Sequence, residues 1–192
     1  PLRDVAARRG RAGAPLYLLC DFAPELLVDA EAPARAGLEA ALWGSGLLDA
    51  WVTPDGQVLS AGTNDSALVP GRSPPPAAEA SLLRWLRPVA ENPLDRERSS
   101  GAAVGDPQAA PVDAAVVTQV LGHIGGQRDA GVAWVAADGA WQLGPLHGQS
   151  TTAQAQYIGQ GARAAARRHL LPLGRAPGRR GRWPPWALGS GS

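Results

Sequence analysis

The chain contains no lysine and no methionine, has a single cysteine and a single phenylalanine, and carries no acidic residue after Asp138. Each absence removes a class of chemistry. The phosphate-cradling loop of the common nucleotidases ends in a lysine, so nucleotide hydrolysis in that form is excluded for this chain. A lone Cys20 supports neither an intrachain disulfide framework nor a cysteine-built zinc site, and it fits a reducing compartment. No apolar run approaches the roughly 18 to 20 residues that a bilayer crossing needs, and the start lacks the charged-then-apolar pattern of a signal peptide. The expectation is a soluble, cytoplasmic protein with no membrane partner. With Pro1 first and methionine missing, the chain also reads as an internal piece of a longer protein.

What is present is alanine, 24 glycines, 18 prolines and 18 basic residues that are all arginine, a bias that points to a GC-rich coding sequence. The 192 residues suit one medium domain or two small subdomains. The formal charge of +1 conceals a split: residues 139 to 192 hold seven arginines and no acid, whereas residues 1 to 138 hold eleven arginines against seventeen acids. A basic end of this kind binds nucleic acid through counterion release or is plain solvated surface.

Along the chain, residues 1–13, with Arg3, Arg8, Arg9 and Arg11, read as the last turns of an incoming helix stopped by Gly10, Gly13 and Pro15. Leu16 to Leu19 is a short apolar run that suits a buried strand. Glu31 to Leu42 has helical spacing and is followed by Gly44 and Gly46. Next, Leu47 to Val52, Pro54-Asp55-Gly56 and Gln57 to Leu59 predict a hairpin, because Asp-Gly supplies a tight turn. Residues 60–78 and 92–111 are rich in small and turn-forming residues and predict flexible surface loops. Between them, Glu79 to Leu86 predicts a short helix halted by Pro88. Val112 to Ile124 is amphipathic and ends at Gly125-Gly126. A second hairpin runs from Val132 through Asp138-Gly139 to Leu143. Thr151 or Thr152 would cap an outgoing helix over residues 151–169. The segments Ala50-Trp51-Val52-x-x-Asp55-Gly56 and Ala133-Trp134-Val135-x-x-Asp138-Gly139 match residue for residue, which suggests a duplicated helix-plus-hairpin unit.

Candidate chemistry is sparse. His123, His147 and His169 are too far apart in sequence to share a helical turn as metal ligands do. Cys20 beside Asp21 reads as an inert buried thiol, since neighbouring strand residues face opposite ways and an acid raises a thiol pKa. Asp55 and Asp138 already serve turns. Gly144-Pro145-Leu146-His147-Gly148 is distinctive and reads as a tight connector after a strand. Tyr157-Ile158-Gly159 and Gly161-Ala162 put small residues on one helical stripe, while Arg163, Arg167 and Arg168 line another.

Taken together, Gly46-Leu47-Leu48-Asp49-Ala50-Trp51-Val52, then Asp138-Gly139 with Leu143-Gly144-Pro145-Leu146-His147-Gly148, then Tyr157-Ile158-Gly159 through Ala162-Arg163 and Arg167-Arg168 form an ordered set of blocks. In this order and spacing they resemble the middle of the large SMC-like (structural maintenance of chromosomes, MukB-like) ATPase subunit of bacterial Wadjet plasmid-defence systems, over roughly residues 14 to 169. The resemblance implies a hinge between two coiled-coil arms, homodimerisation through that hinge, DNA handling by the assembled ring, other subunits of the parent complex as partners, and nucleoid association. ATP and magnesium are implied only for the parent's distant heads; no cofactor is expected in this chain. Residues 170–192 depart from the pattern, because Pro172, Pro177, Pro184 and Pro185 forbid a continuing heptad helix. A shifted reading frame, a truncated gene or a cloning scar such as Gly189-Ser190-Gly191-Ser192 would account for them, as an irregular, disordered tail.

The sequence therefore predicts an α+β protein: a hinge-like module over residues 14–150 made of two helix-plus-hairpin units, flanked by helical arm stubs, with no catalytic or metal site. Two other functions stay open. One is a stand-alone DNA-binding module using Arg163, Arg167 and Arg168, whose signature is binding that weakens steeply with salt and is lost with those arginines. The other is a small hydrolase with Asp49 or His147 in a pocket.

Overall fold

The computed structural model describes residue 8 and residues 11–59, 63–71, 77–89 and 112–159. Within them the chain is a mixed α+β protein with short antiparallel sheets. The expected loop 92–111, the arginines of the outgoing helix and the tail 170–192 lie outside the described residues.

Strand β1 (Ala14–Pro15) leads into a single helical turn, α1 (Leu16–Leu19), and β2 (Cys20–Phe22) follows. The expected strand over Leu16 to Leu19 is therefore corrected. Pro15, at φ −68° and ψ 148°, starts the turn, which buries Leu16 and Leu19, three residues apart and so on one face. A four-residue apolar run satisfies either period, and here the helical one wins.

Helix α2 (Ala32–Gly44) forms where expected. Leu38, Ala41 and Leu42 are fully buried. Gly37 and Gly44, seven residues apart on one face, let a sheet approach closely: a Cβ on Gly37 would collide with the Ala137 carbonyl, and one on Gly44 with the Ser150 side chain. That sheet comprises β5 (Ala133–Val135), β6 (Ala140–Leu143) and β7 (Leu146–Gln149), joined as antiparallel neighbours in this order. The predicted hairpin of β5 and β6 is present, with Trp134 opposite Gln142. The segment expected to be a connector is instead a second tight turn at Gly144-Pro145 followed by β7, with His147 opposite Gln142 and Gly148 opposite Trp141. Gly148 is required there because the Trp141 ring lies where its Cβ would be.

The first predicted hairpin does not form. β3 (Trp51–Val52) pairs with β1, Val52 opposite Ala14 and Trp51 opposite Pro15. The chain after Gly56 leaves no second arm, and Val58 is 76% exposed. The incoming segment supplies the partner that residues 57–59 were expected to be. Its other side is taken by the loop: Trp51 N–H donates to the Ser66 carbonyl and Leu68 N–H to the Trp51 carbonyl, both at 2.8 Å. The loop thereby adds Leu68 to the core margin.

The helix expected over Glu79 to Leu86 is also corrected. Two 3₁₀ turns, Ala78–Ala80 and Leu82–Arg84, are separated by extended, buried Ser81, and β4 (Leu86–Pro88) pairs with β2. The Ser81 hydroxyl donates to the Ala78 carbonyl and accepts from Leu83 N–H, serving both turns. Helix α3 (Ala114–Gly122) is capped by the Asp113 carboxylate, which accepts Ala115 N–H at 2.8 Å. One hydrophobic cluster joins Leu38, Leu42 and Val52 to Val117, Leu121, Val135 and Ile158, so both halves of the proposed duplication share a core.

Residues 151–159 carry no helix, contrary to expectation. Thr152 does bond locally, its hydroxyl donating to the Gln154 carbonyl at 3.0 Å, but no helical turn follows within the described residues. Of the segment expected to be an incoming helix, only Arg8 and residues 11–13 are described, with Arg11 N–H donating to the Arg8 carbonyl at 3.3 Å.

A direct check on the α2–sheet contact is Gly37→Ala. Helix propensity alone would raise stability by about 1 kcal/mol. Overpacking against the Ala137 backbone costs about 1–3 kcal/mol, so a net loss is expected in urea denaturation; a more stable variant would contradict the close approach.

Candidate functional site

The geometry centres on Glu39, a residue that the sequence reading passed over. It lies inside α2 and is only 3% exposed, one of two buried polar side chains among the described residues. Its carboxylate accepts three successive backbone N–H groups from the returning chain: Gln156 at 2.6 Å on Oε1, and Tyr157 at 2.9 Å and Ile158 at 2.8 Å on Oε2. Successive amides turned toward one point form an anion nest, and here the anion comes from the protein's own helix. These bonds explain why no helix starts at Thr151 or Thr152, since the amides are aimed at Glu39. The i, i+4 neighbour of Glu39 on α2 is Trp43, which is 68% exposed.

Around this contact, Tyr157 meets Tyr17 edge to face at 6.0 Å between ring centroids. Gly159, at φ +95°, passes over Asp21. Ile158 enters the core at 1% exposure. Two cavities flank the segment. One, of about 280 Å³, is lined by Glu39, Trp43, Thr151, Thr152, Gln156 and Tyr157. The other, of about 560 Å³, has Asp21, Phe22, Leu27, Arg35 and Ile158 among its walls. Arg35 there donates to the carbonyls of Leu26 and Val28.

A second polar cluster ties down the start of the chain. The Arg8 guanidinium forks onto Asp65, with Nε and Nη2 each at 2.7 Å, and reaches Asp49 Oδ1 at 2.7 Å. Arg11 adds a contact to Asp65 at 2.8 Å. Both guanidiniums lie by the Trp51 ring, at 5.2 and 5.5 Å from its centroid, and Trp51 Nε1 donates to the Ala12 carbonyl at 2.9 Å. Hydrogen bonding from Arg8 brings the Asp65 carboxyl from its ordinary 3.8 to about 2. The same bond raises the Arg8 pKa further above its usual value.

The sequence-predicted residues fall into three groups. Asp55 with Gly56 and Asp138 with Gly139 build matching turns. In each, the carboxylate accepts the amide two residues on, Gln57 at 3.2 Å or Ala140 at 3.1 Å, and the glycine has φ of +66° or +92°. Asp55 lies below the usual carboxylate range chiefly through Gln57 N–H, and Asp138 chiefly through Arg128. Gly144, Pro145, His147 and Gly148 form the β6–β7 turn and strand, with His147 exposed. Tyr157 and Gly159 belong to the segment that Glu39 holds. Arg163, Arg167 and Arg168 are outside the described residues. Neither His147 nor Asp49 lines the two cavities, so the pocket of the hydrolase reading is not assembled from them there. Among the described residues, no three or more His, Cys, Asp or Glu side chains gather to hold a metal, and no helix is long and apolar enough to cross a membrane.

The chain matches no family model, no curated protein and no solved structure.

Two measurements probe these clusters. Glu39→Gln keeps the shape but loses the charge and one acceptor. It is expected to lower the unfolding free energy by roughly 2–4 kcal/mol and to speed hydrogen exchange at the amides of Gln156, Tyr157 and Ile158. Unchanged stability and protection would refute the anchoring role. For Asp65, the folded pKa lies below the unfolded one, so its contribution is present above the unfolded value and disappears as pH falls through the folded value. Stability should therefore decline between about pH 4 and pH 2, with a shallower decline in Asp65→Asn; equal slopes would exclude the Arg8 pair as the cause.

Proposed function

We propose that the chain is the dimerisation hinge of an SMC-like ATPase that acts on DNA, in plasmid defence or chromosome organisation, with ATP and magnesium used by heads elsewhere in the parent protein. One observation carries the reading: the last described segment returns to the stretch of chain just after β1. Tyr17, just after β1, touches Tyr157, and the exit at Gly159 passes beside Asp21 in β2. A connector inserted between two paired arms has to return the chain to where it entered. In this reading the Arg8–Asp65–Asp49 cluster fixes the incoming arm stub and Glu39 fixes the outgoing one. The parent's location would be the cytoplasm, at the nucleoid.

The dimer part of the proposal draws on the sheet. β7 pairs with β6 and with no other strand among the described residues. Residues 139–159 contain no lysine, arginine, aspartate or glutamate, so the β7 edge lacks the charges that usually discourage strand addition. An uncharged edge can meet a second copy of itself across a twofold axis without opposing like charges. Leu146 on β7 is 59% exposed and would be covered. The alternative, DNA binding through Arg163, Arg167 and Arg168 without dimerisation, rests on the charge split alone.

Light scattering on the full chain is the test. A homodimer is expected, and His147→Lys, an exposed change on β7, is expected to shift it toward monomer with an unaltered far-ultraviolet circular dichroism spectrum. A strict monomer at high micromolar concentration would reject the hinge reading.

A further inference from the structure

The smaller cavity brings aromatic rings to Glu39, the residue that holds the returning segment, and the hinge reading makes no use of those rings. Glu39, Trp43 and Tyr157 are among its lining residues. These two aromatics are 68% and 47% exposed. Glu39 and Trp43 stand one turn apart on the same face of α2, so the indole and the carboxylate border the same space. The polar remainder is Thr151, Thr152 and Gln156, and no basic side chain is among the lining residues.

We propose that this cavity is a binding site for an organic cation of the size of a guanidinium or quaternary ammonium group. Three features favour that class. Aromatic faces attract cations through the ring quadrupole, most strongly for tryptophan, and both rings here are open to solvent. Three amide bonds hold the Glu39 carboxyl group in place, so it can face a cation without reorganisation. The site also sits in the C-terminal half of α2, the negative end of the helix dipole. An anion would face the carboxylate with no compensating cation. The volume of about 280 Å³ lies just below the range of about 300–1,000 Å³ typical for drug-sized molecules, which favours a side-chain-sized head group over a nucleotide.

The site lies within one copy of the chain, so its test is independent of dimerisation. The probes are N-acetyl-arginine amide and tetramethylammonium chloride, titrated into the isotopically labelled full chain at constant ionic strength held with sodium chloride. Saturable shifts are expected at the Trp43 indole N–H and the amides of Gln156, Tyr157 and Ile158, with N-acetyl-citrulline amide, the uncharged analogue, giving none. Trp43→Ala should weaken binding about tenfold or more while leaving resonances remote from the cavity in place, since the indole is mostly exposed. Saturable shifts with arginine amide and not tetramethylammonium would narrow the class to guanidinium, and the converse to quaternary ammonium; either supports the site. No saturable shift with either cation, equal binding of the citrulline analogue, or full affinity in Trp43→Ala would overturn it.

Discussion

A carboxylate buried in the middle of a helix is costly unless its lone pairs are used, and Glu39 resolves that cost by gathering the last described stretch of chain. Three consecutive amides of residues 156–158 converge on it. The contact fixes more than one residue. With these amides held, Ile158 is set into the core, Tyr157 against Tyr17, and Gly159 beside Asp21. A region lacking helix or strand thus acquires a defined path, because its backbone donors are satisfied by a side chain from α2 in place of a ladder.

The duplicated heptapeptide separates local from tertiary control. In both copies the valine is fully buried, the tryptophan is 6% exposed, and the aspartate bonds the amide two residues later. An arginine approaches each indole, Arg8 and Arg11 at Trp51 and Arg128 at Trp134. Up to the glycine the two segments behave alike. Beyond it they diverge: Ala140 to Leu143 folds back on β5, whereas Gln57 to Leu59 does not return to β3. The difference lies in the competition for the strand edge. β3 has β1 on one side and Ala67 on the other, so neither edge is left for residues 57–59.

This competition also explains which parts of the fold were legible in the sequence. The 3.6-residue period exposed α2 and α3, and Asp-Gly exposed both turns, because these depend on neighbours in sequence. Strand partners 38 residues apart, such as Ala14 and Val52, have no local signature. Ser81 broke an apparent helix because its hydroxyl serves the two flanking turns, a choice made with the Gly125 bridge in place. Glu39 was invisible for a related reason: a glutamate within an amphipathic helix ordinarily reads as solvated surface, and its partners lie 117 to 119 residues downstream. The one available hint was its position between Leu38 and Ala40, close to the apolar stripe.

The two anchored ends can be compared as physical devices. At the start, an arginine fork binds a loop aspartate and flanks an indole, a mixture of charge pairing and stacking that acid weakens at the low end of the carboxylate range. At the exit, a helix carboxylate binds backbone amides, a contact that depends on no second titratable group. Neither anchor draws on the residues of the other: the first holds Arg8 and Arg11 beside Trp51, and the second brings Tyr157 against Tyr17 of α1. A module that joins paired arms, as proposed, would need both restraints, since each fixes a different stretch of the chain.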